Sequence, residues 1–317
     1  LILKESELKN LPESVKENIL SESYVLFSVA SMKYGLLEAI DVKPKGVEEI
    51  DILKRFAKVF EQTYTRFLDL QKAEKQARES EIQLALERVR AKSLAMHKSE
   101  ELGDLSLELV KQVQNLGIET WFCAFNIHDD HLDGSLEWGS NGEGVFPQYR
   151  TPKEGIFLEY LKAGERGEEL YVKEIPETEC KAHYEYLCSL PGVGDQLLQM
   201  KANGIPFPTS QIDHVAFFKY GYILFITFEP VPEAHDIFKR FSQVFEQSYT
   251  RFLDLQKAEA QTRKAKIEAA LERSRAQSMM MKHSDEIDTV SNVFHEQLTL
   301  LGIPTEFSYV WLPDEDN

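Results

Sequence analysis

Apolar and polar positions divide the chain into two kinds of stretch. Between Gly46 and Gly103, and again between Pro232 and Gly302, there is no Gly or Pro, and Ala, Leu, Glu, Lys, Gln and Arg predominate. The strongest helix breakers are absent and the strongest helix formers abundant, so both windows are predicted to be long helices. In the first window apolar residues recur at Phe56, Phe60, Phe67 and Leu70, and again at Ile82, Leu86, Val89 and Met96, with Ser93 in step. Alternating spacings of three and four make the seam of a coiled coil. The two registers do not join, and the polar stretch Lys72–Glu81 lies at the mismatch, so a stutter or loosened coil is expected there. A further amphipathic segment carries Leu102, Leu105, Leu109, Val113 and Leu116 on one face. Ser99 with its acidic neighbours reads as its start and Gly117 as its stop.

Between the windows the period changes to two. Trp121–Ile127 reads as a strand and Leu136–Trp138 begins a second. Helix is predicted over Gly155–Ala163, Glu179–Leu190 and Asp195–Ala202, and a short strand over Glu169–Lys173. His214–Lys219 and Tyr222–Glu229 form a hairpin, matched near the start of the chain by Val29–Lys33 and Leu36–Asp41.

The chain repeats itself. The stretch beginning ILKRFAKVFEQTYTRFLDLQKAE at Ile52 returns as IFKRFSQVFEQSYTRFLDLQKAE at Ile237, an offset of 185 positions that runs without a gap to the Leu-Gly-Ile of Leu116–Ile118 and Leu301–Ile303. The second copy of the amphipathic segment has Ile287, Val290, Phe294, Leu298 and Leu301, opened by Ser284. A unit of this length is too long for a solenoid and suits a sensor domain with its linker. The expected organisation is the C-terminal part of a truncated unit at 1–50, a helical linker at 51–98, a complete unit at 99–232, a second linker at 233–283, and the N-terminal part of a further truncated unit at 284–317. The chain therefore reads as a fragment of a longer tandem protein.

The order of helix, two strands, helices with a strand, hairpin and long helix resembles the GAF fold of bacterial sensors: an α+β fold whose antiparallel sheet has a pocket on one face and the two terminal helices on the other. The linker motifs Ala85-Leu86-Glu87-Arg88-Val89-Arg90-Ala91 and Ala270-Leu271-Glu272-Arg273-Ser274-Arg275-Ala276 resemble the signalling helix that joins sensor and output modules. The helical block as a whole is similar to linkers in GAF-containing two-component sensors of Bacteroidetes-type bacteria. The resemblance implies signal transduction upstream of a kinase, cyclase or transcription-factor module, none of which lies in this sequence. The long helices with their apolar stripes must bury that seam against another helix, which predicts a parallel homodimer with contacts at Phe60, Phe67, Ile82, Leu86, Val89 and Met96, and at Ile267, Leu271 and Met281 in the second copy.

Charge narrows the partners. Lys and Arg number 36 against 53 Asp and Glu, a net charge of −17, which argues against nucleic-acid phosphates and anionic membranes. The longest apolar run, Tyr222–Phe228, is far short of a membrane span. Three cysteines suit a reducing cytoplasm better than a disulfide framework.

Candidate chemistry is sparse. His128, Asp129, Asp130, His131 and Asp133 crowd one turn, but they lack zinc spacing and the EF-hand order, so an acidic hairpin turn is the reading and no metal is assigned. Cys180 and Cys188 lie near Glu174-Ile175-Pro176, a weak echo of the chromophore site of bilin-binding GAF domains, and they read as small buried hydrophobes. His295-Glu296 faintly resembles a kinase phosphoacceptor box, yet the repeat places Val110 and Lys111 at those positions, which favours an ordinary helix. No catalytic set emerges and no cofactor is named. What remains is a cluster around the centre of the complete unit: Trp138, Tyr149, Phe157, Tyr171, His183, Tyr184 and His214, with Phe207. Aromatics with a few polar groups suit a small-molecule pocket and a plain core equally well. The functional expectation is a cytoplasmic sensory and signal-relay fragment, with a ligand-free dimerisation scaffold or part of a histidine kinase as alternatives.

The incomplete units at the two ends should bury less than the central one. Limited proteolysis is expected to trim both ends and leave a core near residues 80–260. Protection of the C-terminal end at low protein concentration would contradict this.

Overall fold

A computed structural model describes residues 12–21, 24–128 and 134–310. It is an α+β protein with long helices and an antiparallel six-stranded sheet. The chain divides into two compact units, 1–81 and 82–317. Among the described residues no helix is long and apolar enough to cross a membrane.

The first unit holds a short helix α1 (Glu13–Ser21), the hairpin β1 (Leu26–Met32) and β2 (Gly35–Asp41), and the start of α2 (Val47–Leu94). The hairpin pairs in register from Leu26↔Asp41 to Met32↔Gly35. Its turn is tied to the helix by the Lys33 amide, which donates to Glu61 Oε2 at 2.8 Å.

The second unit begins within α2, at Ile82. After a single 3-10 turn (Ser99–Glu101) come α3 (Leu102–Asn115), β3 (Thr120–His128), β4 (Ser135–Ser140) and β5 (Tyr149–Thr151). Then follow α4 (Gly155–Glu165), β6 (Leu170–Ile175), α5 (Glu177–Ser189) and α6 (Val193–Ala202). The unit closes with the hairpin β7 (Gln211–Phe218) and β8 (Gly221–Thr227), α7 (His235–Met280) and α8 (Ile287–Leu300). The sheet order is β5-β4-β3-β8-β7-β6, every pairing antiparallel. The predicted elements fall in place; β5, three residues long, was too short for a periodicity argument.

Strands β3 and β8 lie at the centre, and all seven residues of β8 are buried. One sheet face, with Phe125, Ile127, Ile223 and Phe225, shares a core with α3, the start of α7 and residues Ile82–Met96. Phe225 stacks on Phe238 at 4.2 Å, and Phe125 meets Phe245 at 4.3 Å. The opposite face is covered by α4, α5 and α6.

The two copies of the repeat adopt the same local structure. The Lys219 amide donates to Glu246 Oε2 at 2.8 Å, as Lys33 does to Glu61. Arg88 reaches Gln112 at 3.3 Å, and its counterpart Arg273 reaches Gln297 at 3.4 Å. Ser99, expected to cap the next helix, lies inside the 3-10 turn rather than at a cap position; in that turn Glu101 accepts the His97 amide, and in the second copy Glu286 accepts the Lys282 amide. Gly117 and Gly302 close the following helices at φ of 76° and 72°, a conformation that favours glycine.

Burial differs sharply between copies. Phe56 and Phe60 are 66% and 53% exposed, whereas their counterparts Phe241 and Phe245 are fully buried against the central sheet. Four residues expected on a dimer seam, Ile82, Leu86, Val89 and Met96, are instead buried in the core of the complete unit. The chain turns after Leu94 and folds α3 into the same core, so this stripe is covered within one chain. In the second copy Leu271 and Met281 stay exposed and Ile267 is half-buried. The core of the complete unit thus extends beyond 99–232, from Ile82 to Phe252. Residues 71–81, across the register mismatch, are exposed and lie within continuous helix. Residues 305–310, equivalent to the first half of β3, form no strand; the described residues of that part offer no partner such as β8. Trp311 and residues 129–133 of the acidic turn lie outside the described residues.

Gly221 opens β8 where an added Cβ would lie 1.9 Å from the Asn126 carbonyl oxygen, while Gly35, at the same turn position and nearly the same φ, has open space. Gly221→Ala is expected to lower the melting temperature by roughly 5 °C or more, on the order of 2 kcal/mol, and Gly35→Ala by less than half as much. Equal effects in thermal melts of the two variants would show that β3 and β8 do not pack this closely.

Candidate ligand-binding cavity

Strand alternation builds the site. On β3, Phe122, Ala124 and Asn126 face away from the terminal helices, and Glu137 on β4 stands opposite Asn126. On β8 the same face carries Tyr222, Leu224 and Ile226, and Asp213 on β7 stands opposite Ile226. Helices α4 to α6 close over this surface and leave a cavity of about 40 Å³. Glu137, Asp213 and Gln211 supply its carboxylate and amide groups, and Trp121, Tyr149, Phe157, Tyr160 and Tyr184 its aromatic walls.

Two hydrogen-bond networks hold the carboxylates. Tyr149 Oη donates to Glu137 Oε1, and Asn126 Nδ2 donates to Glu137 Oε2 at 2.9 Å and to Thr151 Oγ1 at 3.0 Å. Asn126 Oδ1 is buried without a hydrogen-bond partner. Tyr160 Oη donates to Asp213 Oδ2, Gln211 Nε2 donates to Asp213 Oδ1 at 2.7 Å, and Tyr184 Oη donates to Gln211 Oε1 at 2.6 Å. Every one of these donors is neutral. Burial raises Glu137 to about 7, against the lowering pull of Tyr149 and Asn126, and Asp213 adds a further upward push. Burial likewise raises Asp213 to about 6, opposed by Tyr160, Gln211 and, most weakly, Lys173. Tyr222 also faces both carboxylates, Tyr184 and Cys180 face Asp213, and all of these groups are pushed upward. His183, on the cavity wall, is lowered to about 4 by burial and is neutral at ordinary pH.

Of the residues expected around the pocket, the structure brings together Tyr149, Phe157, His183 and Tyr184. Phe207 stacks on Tyr184 at 4.6 Å and flanks a groove on its outer side. Tyr171 does not line the cavity; it is half-buried beside the Tyr160 ring, and its hydroxyl turns to Glu159 at 3.3 Å. Trp138 and His214 are corrections. Both are buried on the opposite face, in or against the core with the terminal helices. His214 Nε2 is 2.9 Å from Thr227 Oγ1, and its pKa is lowered to about 4 by burial and then by His235. The physical reason is strand parity: a residue and its neighbour point to opposite faces, so Glu137 and Asp213 take the cavity that Trp138 and His214 were assigned. A charged residue inside an otherwise apolar strand was the available signal. Tyr160, Gln211 and Trp121 were also missed, and they carry no local motif.

The remaining candidates are distributed elsewhere. Cys180 is buried, with its thiol 3.2 Å from the Pro208 carbonyl oxygen, Cys188 is half-buried, and burial raises the pKa of both. Among the described residues no group of three or more His, Cys, Asp or Glu could hold a metal ion. Comparison with known proteins finds no matching family model and no matching curated sequence.

Both carboxyl groups bind a proton more tightly in the folded chain than in the unfolded one. Their stabilising contribution is complete below the unfolded carboxyl values and is lost as pH rises through about 6 for Asp213 and about 7 for Glu137. Melting temperature is therefore expected to fall by several degrees between about pH 5 and about pH 8. E137Q and D213N should each flatten that fall and melt higher at the alkaline end. Variants that retain the full slope would contradict the assignment.

Proposed function

We propose that this chain is a sensory and signal-relay segment of a multidomain bacterial signalling protein, acting in the cytoplasm by binding and relay rather than catalysis. Its complete unit is GAF-like and holds a small molecule in the cavity. The long helices pass the change to an output module elsewhere in the parent protein. One observation carries this reading: a single pair of strands, β3 and β8, lines the cavity with Phe122, Leu224 and Ile226 and supports the terminal helices with Phe125, Ile223 and Phe225. A ligand that shifts these strands on one face must repack the other, because close-packed interiors transmit displacement.

The helices act in a parallel homodimer. With Ile82, Leu86, Val89 and Met96 covered in the chain's own core, the contact uses apolar positions that stay open. Leu70 and Leu255 are the same repeat position and are about half exposed in both copies; Leu271 is exposed as well. Large apolar side chains at matching helix positions seek a second helix. A ligand-free dimer scaffold is the second reading, favoured by the small cavity and by carboxylates whose hydrogen bonds are already made. A ligand that raises the melting temperature separates the two.

Light scattering at micromolar concentration should give the mass of a dimer, and Leu70→Asp combined with Leu255→Asp should weaken association by at least tenfold. A monomeric parent chain would overturn the relay through paired helices.

A further inference from the structure

The cavity has a chemical preference. Two carboxylates line it and, among the described residues, no Lys or Arg does; the basic side chain on its wall, His183, is neutral at ordinary pH. The walls are aromatic, and ring faces attract cations, most strongly where water is excluded. Asn126 Oδ1, buried and without a hydrogen-bond partner, lies beside Glu137 on the same sheet face but outside the lining of the cavity, so it adds to the unmet polarity around Glu137 without touching the ligand. The hydrogen bonds to these buried carboxylates come from neutral donors, and the one cation that acts on them, Lys173 beside Asp213, does so weakly and is itself paired with Glu159 at 3.0 Å; the ordinary remedies for a buried carboxylate so poorly compensated are a proton or a bound cation. We propose that the cavity is a site for a small organic cation, a primary ammonium headgroup bound by Glu137 and Asp213 within the aromatic walls. The proposal rests on the cavity being the sensory site of the complete unit.

Size and charge restrict the class. At roughly 10–15 Å³ for each water-sized group, a 40 Å³ cavity takes about three non-hydrogen atoms. Anionic ligands such as phosphates would meet two carboxylates and no guanidinium or ammonium donor. An ammonium group offers three N–H donors and needs acceptors only. When it enters, each carboxylic acid releases its proton to solvent and the resulting carboxylate accepts N–H bonds. Binding should therefore tighten as pH rises, by about tenfold per pH unit for each proton released below the carboxyl's own value.

The test is calorimetry and thermal melting of the full chain with ethylammonium, and with ethanol and acetate as neutral and anionic probes of similar size. Ethylammonium is expected to bind saturably, with affinity rising from about pH 5 to about pH 7, and E137Q and D213N should each weaken it at least tenfold. Both variants remove a buried charge and keep the side-chain shape. In E137Q the new amide can donate to Asn126 Oδ1 once that side chain turns over, so folding is retained, and the melts check it. If the variants bind ethylammonium as well as the parent chain, the cation sits on the acidic surface and the proposal fails. If ethanol or acetate binds and ethylammonium does not, the ligand class is wrong while the sensory reading stands. If none of the three binds at any pH, both fall.

Discussion

Two adjacent strands, β3 and β8, are buried on both faces, and the rest of the complete unit is arranged around that demand. A strand in this position has no solvent face on which to place polar side chains, so each must be paired internally or lie against a cavity. Phe125 and Phe225 meet the terminal helices on one side. Asn126 on β3, with Glu137 and Asp213 on the strands flanking the pair, brings the polar groups to the other side, and there the covering helices leave space. The cavity and the helix layer are thus two consequences of one double-sided pair of strands.

The repeat provides an internal control on this picture. Phe60 and Phe245 occupy the same place in nearly identical helical sequence, yet one is half exposed and the other fully buried. What differs is the six-stranded sheet beside the second. A buried aromatic contributes about 1.5–3 kcal/mol over an exposed one, so the first unit forgoes several such contributions. The same comparison relocates the linker. Sequence periodicity alone cannot tell a seam that meets another chain from one that meets its own sheet, because both are apolar stripes on a helix. The stretch without a sheet to cover it is the polar one, residues 71–81, where the heptad register also breaks.

Much of the fold was legible in the sequence. Absence of Gly and Pro marked α2 and α7, and period-two stretches marked β3, β4, β7 and β8. The repeat set the unit length, and its matched turns appear as matched bonds at Lys33 and Lys219. The site was less legible. Aromatic content drew attention to the right region, and Tyr149, Phe157, His183 and Tyr184 do meet there. The polar groups are marked only by strand parity: Trp138 and His214 are conspicuous, but their neighbours Glu137 and Asp213 face the cavity. Tyr160 and Gln211 join through contacts spanning long separations in sequence, which no local pattern encodes.

The central claim is that the cavity and the terminal helices are mechanically joined through β3 and β8. It is tested most directly by filling the cavity from its wall, with Val193→Leu, and following amide hydrogen exchange. Coupling predicts altered protection in Ile237–Phe252, on the far side of the sheet, with no change in the exposed helical stretch around Leu255. Unchanged exchange across Ile237–Phe252, in a variant whose melting temperature shows that the cavity has been filled, would contradict it.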